Sequence, residues 1–421
     1  MTISDKFGKF LPYLKNSGLY FFSSLFVAIV GILLNPVFAM NLEHLDYAII
    51  GYFSSFNLLL IPLLHFSLFS FYSRHYYFVD EDKRDVIGNT VLLSSIIIGF
   101  FTLILFTVVF YFIFQRENNS FPFYPFAILT FLQLYIGNIS SFYLIQLRVK
   151  RQAKQYARFS IARCVITSLL TLLLVVYYKY GAEGKLTGAL IASILCAVYS
   201  FRKSLTEFKI DKGILIEGLK FSAPLTVSAL FWYCLTGIDR LFLERIGDNT
   251  NLGLYNIGIS ICSYMGIFYT TVSNTFEPDI YQAIAQKKKK KLIAVMSLIV
   301  GTVMFFNILF IVFAPYIIGL LTADRYVEAT PFAQILAIHN IMMAIYYMVV
   351  KLMIGYGYVK MELFVRITGA LVSVYMFYVL IEKWEFYGAA WGQVLSFVLL
   401  SVIGLLAFGI KRKYISTKQN I

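Results

Sequence analysis

The residues that could do chemistry are ionisable groups set in apolar surroundings. Residues 217–260 read EGLKFSAPLTVSALFWYCLTGIDRLFLERIGDNTNLGLYNIGIS, with Asp239-Arg240 near the far end of an apolar run that opens at Gly218 and Pro224. Charges so placed are costly to desolvate, which points to a function or to an aqueous cavity beside them. His65, Arg74, Arg163, Lys351 and Arg366 lie within or just inside other apolar runs, and Glu277-Pro278-Asp279 near the end of another. Two readings of the cations compete. Long basic side chains near the end of a span snorkel to the interface; alternatively Arg163, Lys351, Arg366 and Arg74 form a basic lining suited to phosphate. Asp239-Arg240 reads as a structural ion pair or interfacial anchor, or else as a cavity charge or outer-gate element. Sequence neighbours diverge on a helix, so the two need not pair with each other. Glu277 and His65 are the candidates for gating or for holding a proton or sodium ion. His339 and Asn57 read as satisfied bundle residues, and Lys287–Lys291 as a juxtamembrane anchor that attracts anionic lipid.

The elements that must position these groups are membrane helices. The chain is 59% hydrophobic and only 14% charged, with a mean hydropathy of +0.75. Soluble domains run nearer a quarter charged, so this composition is that of an all-α integral membrane protein. A span needs roughly 20 apolar residues, and twelve are expected: 17–40, 47–72, 90–114, 122–147, 158–179, 186–201, 219–243, 252–280, 292–314, 331–356, 362–381 and 387–410. Asn35-Pro36 and Pro278 are expected to kink or end their helices. The longest connector, 202–218, carries no extramembrane domain and could hold a short interfacial piece.

Charge bias orients the helices. With both termini on one side, 29 of the 36 lysines and arginines share that side, and only Arg116, Lys179, Lys185, Arg240, Arg245, Arg325 and Lys383 face the other. The positive-inside rule then puts both termini in the cytoplasm, with an even helix count. Residues 14–26 match 219–231 at six of thirteen positions, among them Leu14/Leu219, Lys15/Lys220 and Ser17/Ser222. An equal split into 1–212 and 213–421 gives two six-helix bundles. They would be related by a pseudo-two-fold along the membrane normal, with a shared cavity.

Several classes are excluded. There is no GxGxxG, GxxxxGK[ST], HExxH or CxxC. The net charge of +14 sits in connectors between apolar runs, so nucleic acid is not an expected partner. Cys164, Cys196, Cys234 and Cys262 read as small core hydrophobes, without metal spacing or a disulfide framework. The first apolar run lacks a small-residue cleavage site and is expected to be a retained helix. A membrane enzyme of polysaccharide assembly would need an acidic pair in a loop. The candidates, Glu43/Asp46, Asp324/Glu328 and Glu382/Glu385, are sparse.

The pattern Gly218, Pro224, Asp239-Arg240, a turn and Gly253-x-Tyr255 resembles the seventh and eighth helices of O-antigen and capsule flippases. Pro36, Tyr47 and Gly51 likewise look like the first helix pair of that family, part of the multidrug/oligosaccharidyl-lipid/polysaccharide exporter superfamily. The resemblance spans the whole chain, with loose motifs. It implies a flippase, not an enzyme, that translocates undecaprenyl-diphosphate-linked oligosaccharide across the bacterial inner membrane by alternating access in a cation-lined cavity. This would serve O-antigen or capsule polysaccharide biosynthesis, lipopolysaccharide included. Motif position carries over Asp239 and Arg240 only. No cofactor is expected, and the resemblance leaves open whether H+ or Na+ drives the cycle. Implied partners are the lipid-linked oligosaccharide, membrane lipids, and polysaccharide polymerase and chain-length proteins. The first helix has no arginine in its membrane part, a departure from the related lipid II flippases. The same-fold alternative is a multidrug/cation antiporter, which would favour buried carboxylates over cations.

Overall fold

The computed structural model describes residues 3–77, 80–114 and 120–419. Of the basic residues counted for topology, Arg116 lies outside the described residues, as do the side chains of Lys6, Lys9, Lys15, Lys413 and Lys418. The described chain is helical, in the order α1 Ile3–Asn41, α2 His44–Ser55, α3 Asn57–Leu64, α4 Leu68–His75, α5 Glu81–Phe114, α6 Phe126–Val149, α7 Ala153–Leu172, α8 Gly181–Ser204, α9 Lys212–Thr236, α10 Asp239–Glu244, α11 Asn249–Ala285, α12 Lys289–Thr322, α13 Thr330–Gly355 and α14 Val359–Gln419. In lipid each backbone N–H and C=O must be satisfied within its own segment, which is why apolar runs of this length become helices.

Two compact units divide the chain at Ala229/Leu230, inside α9. Ten segments among the described residues are long and apolar enough to span a membrane. One of them, Lys360–Arg412, has 53 residues, far more than one crossing needs. It folds back on itself at Glu385, whose φ of 47° and ψ of −123° leave the helical region. Gly392 therefore lies against Phe377, and Gly404 near Val365, as in an antiparallel hairpin. With α11, a helix of 37 residues, twelve segments long enough to cross are present among the described residues. α1 continues through Pro36, and α11 runs past position 278 to Ala285.

The second expected helix, 47–72, is three pieces instead of one. α3 contains Pro62 and ends at His65, after which Phe66 and Ser67 take left-handed φ values of 45° and 50°. The Phe66 amide donates to Leu63 O and the Ser67 amide to Pro62 O, both at 3.2 Å. These are the paired bonds that close a helix C-terminus, with phenylalanine where glycine is usual. The carbonyl of Leu64 then points at α5. A Cβ on Gly99 would stand 2.8 Å from that oxygen and 3.1 Å from the Tyr135 ring, so only glycine permits the approach. Thr226 on α9 donates to Ser67 Oγ at 3.0 Å and pins the break. Apolar periodicity does not report such a break, because both sides of it are equally apolar.

α8 shows how this unit packs without a hydrophobic driving force between its helices. Gly184, Gly188, Ala192, Cys196, Ser200 and Ser204 recur every fourth residue, and all six are buried. Small residues let membrane helices approach closely enough for dispersion to hold them. A Cβ on Gly188 would meet the backbone of Thr171 at 2.9 Å. Gly188→Leu should therefore force α7 and α8 apart at about 1–3 kcal/mol or more. Thermal unfolding in detergent would show a lowered midpoint, and an unchanged midpoint would contradict this packing.

In the second unit, Leu235, Tyr346, Val349, Met353, Phe397 and Leu400 form one core. Tyr269, Ile280, Ile299, Val303 and Met348 form another. The first is built from α9, α13 and α14 and the second from α11, α12 and α13, and both carry ionisable side chains at their margins.

Candidate functional site

In the first unit, α6, α7 and α8 line a half-open chamber of about 560 Å³. Arg158, Arg163 and Lys203 line it, together with Gln155, Tyr143 and Tyr199. Arg163 is partly buried and its guanidinium reaches toward Gly137 of α6. Phe159 stacks on Tyr199 at 5.8 Å and meets Tyr143 edge-on at 5.1 Å, forming an aromatic wall. Arg74 is exposed and lies 5.1 Å over the Phe221 ring. Its neighbour His75 places Nε2 3.3 Å from Glu217 Oε1. His65 sits at the α3 break, stacked on Phe69 at 4.2 Å, with a buried Nδ1 that has no partner among the described residues.

In the second unit, two expected cations meet carboxylates. Lys351 Nζ on α13 donates to Glu277 Oε2 at 2.9 Å and to Ser273 Oγ at 2.7 Å on α11. Arg366 donates to Glu362, one turn earlier on α14, and stands 5.9 Å over the Trp232 ring. Aromatic rings join the pairs. Tyr269, against Ser273, stacks on Tyr347 at 5.4 Å, and Tyr347 meets Trp232 at 5.7 Å. The result is a continuous path of rings with an ion pair at each end.

Asp239 and Arg240 begin α10 and are 0% and 8% exposed. Tyr255 of α11 donates its hydroxyl to Asp239 Oδ2 at 2.5 Å. Asp239 Oδ1 and Arg240 Nε have no hydrogen-bond partner among the described residues. His339 Nδ1 lies 3.3 Å from Gln393 O, and its ring packs on Phe397 at 4.8 Å.

Thus the structure joins Lys351 with Glu277, 74 residues apart and on different helices, a pairing that the sequence reading did not make. It also adds Glu362, Ser273, Trp232 and Tyr347. The Glu362→Arg366 spacing of four was a readable signal, since an acidic residue four before a basic one favours pairing on a helix. The Lys351 contacts had no local signal. Arg163 and the Arg74 region lie in the first unit, and Lys351, Arg366 and Asp239-Arg240 in the second.

The fold is shared with solved transporters. The chain resembles lipid II flippase MurJ in an inward closed conformation with a TM-score of 0.67, at 16% identity, covering 93% of this chain and 87% of that one. It resembles an inward-facing multidrug resistance MATE family transporter of the MOP superfamily with a TM-score of 0.64, at 14% identity, covering 94% and 96%. Among curated proteins it is 25% identical over 285 residues to "Lsg locus putative protein 1" of Haemophilus influenzae, covering 65% of this chain and 67% of that protein. The class is therefore that of multi-pass, all-α membrane proteins with the MOP-superfamily fold. Residues 13–275 match the polysaccharide biosynthesis protein family, and residues 224–379 match MatE. The chain belongs to the polysaccharide biosynthesis protein family.

Proposed function

We propose that this protein is a flippase that moves an undecaprenyl-diphosphate-linked oligosaccharide from the inner to the outer leaflet of a bacterial inner membrane by alternating access. The observation that carries the reading is the pair of intramembrane cations, Lys351 and Arg366, held by Glu277 and Glu362 beside a run of aromatic rings, in a chain of the polysaccharide family. A diphosphate competes for such cations with strong, charge-assisted hydrogen bonds. Exchange of Lys351 from Glu277 to the diphosphate leaves a carboxylate in need of a cation, and a proton or Na+ fills that role. Tyr269, Tyr347 and Trp232 offer ring faces to sugars. In the second unit Arg240 is a further proposed substrate cation and Asp239 a gating or ion-coupling group; in the first unit Arg163 and Arg74 are proposed substrate cations and His65 a gating or ion-coupling group. Both termini lie on the cytoplasmic side in this reading, and polymerase and chain-length proteins act downstream.

One observation favours a second reading. The MatE match falls on residues 224–379, which hold Glu277 and Glu362, carboxylates that a multidrug/cation antiporter would use. A strain lacking its own polysaccharide flippase separates the two. Expression of this chain should restore surface polymer. Polymer that stays absent, with the protein in the membrane and resistance to cationic drugs raised, would replace the flippase reading with the antiporter.

A further inference from the structure

The chamber between α6, α7 and α8 adjoins a second one on the other flank of α7. That neighbour is a shallower, open one of about 570 Å³, lined by Leu19, Ile161 and Val165, with Lys154 and Arg158. The two chambers share Arg158, Ala162 and Ile166. They differ in chemistry. The first presents Arg158, Arg163 and Lys203 with no carboxylate in its lining, and the second is mostly aliphatic. Each is within the size of ordinary ligand sites, roughly 300–1,000 Å³.

The cations stand at graded depth. Counting from the start of α7 at Ala153, Arg158 is about 8 Å and Arg163 about 15 Å along the helix at 1.5 Å per residue. Lys203 lies in the last turn of α8. Snorkelling accounts for Arg158 and Lys203, which are exposed at the mouth. It does not account for Arg163, whose guanidinium is directed inward toward Gly137. A cation inside an apolar bundle needs a counter-charge, and none among the described residues is within ion-pair distance of it.

We infer that these joined chambers form a binding site for an anionic lipid, with the phosphate head group held by Arg163, Arg158 and Lys203 and an acyl or prenyl chain along the aliphatic flank of α7. The site belongs to the first unit alone and shares only Arg163 with the transport reading. Basic pockets between membrane helices suit phosphate head groups, at about 1 kcal/mol per basic residue. The ligand chemistry, a phosphate on a long apolar chain, is common to bilayer phospholipids and to polyprenyl phosphates.

Native mass spectrometry of the full chain tests it, with phosphatidylglycerol, phosphatidylcholine and a polyprenyl monophosphate as probes. Wild type should retain phosphatidylglycerol well above phosphatidylcholine. Arg163→Gln should weaken that retention about fivefold, as should each further neutralisation at Arg158 or Lys203. Arg163→Lys should keep most of it. Ala162→Trp narrows both chambers without removing a charge and should displace the lipid at an unchanged melting temperature. Competition identifies the source: displacement of phosphatidylglycerol by low polyprenyl monophosphate assigns the site to a prenyl lipid, and resistance to it assigns a resident phospholipid. Undiminished phosphatidylglycerol retention by the folded triple Gln variant would overturn the proposal. Loss of phosphatidylglycerol retention in Ala162→Trp with surface polymer intact would leave the transport reading standing.

Discussion

Lys351→Ala is expected to abolish export of surface polymer, by tenfold or more, while the protein still reaches the membrane. Lys351 Nζ is bound by Glu277 and Ser273, and its side chain is 12% exposed against 36% for Glu277. Such a half-buried pair contributes on the order of 2 kcal/mol, between the exposed and fully buried cases. That is too little to unfold the chain when removed. The functional loss would be larger, because the cation is the group proposed to receive the diphosphate. Lys351→Arg should retain part of the activity, since guanidinium also meets phosphate. Glu277→Gln should stall the cycle differently, leaving substrate binding intact and removing the dependence on an ion gradient. Surface polymer, membrane abundance and gradient dependence, measured together, decide this. Normal polymer from a well-inserted Lys351→Ala protein would remove Lys351 from the path.

Tyr255→Phe is expected to lower thermal stability by about 2 kcal/mol, the usual scale for a hydrogen bond to a charged group. Asp239 is wholly buried, and the Tyr255 hydroxyl is its hydrogen-bond donor at 2.5 Å. Deleting that donor leaves a carboxylate oxygen without its bond in an apolar setting. Asp239→Asn should cost less, because the amide still accepts from Tyr255 and no longer needs a counter-charge. The order of melting temperatures, wild type above Asp239→Asn above Tyr255→Phe, is the test. A Tyr255→Phe protein that melts with wild type would show that this contact does not hold α10 to α11.

Ion pairs and helix breaks are unequally legible in a membrane sequence. Arg366 and Glu362 share a helix at a spacing of four, so one helical turn is enough to bring them together. Lys351 and Glu277 are 74 residues apart, and only the packing of α11 on α13 makes them partners. The α3–α4 break depends on Gly99, Tyr135 and Thr226, which lie on three other helices. Pro62 hints at a disturbance there, but proline alone does not specify two left-handed residues in succession.

By itself, the sequence determined the solvent and the element type. Apolar runs of bilayer length must become helices, because lipid offers the backbone no hydrogen bonds. It also determined that charges inside those runs would be few, and gave the hairpin at Glu385 as the gap between the last two runs. Tertiary structure alone decided which way each charge faces. An evenly apolar helix has no preferred face toward lipid, so its rotation is set by small-residue contacts such as Gly188 on Thr171. Helix packing turns Arg163 into its chamber in the first unit, and the packing of α11 on α13 turns Lys351 toward Glu277 in the second.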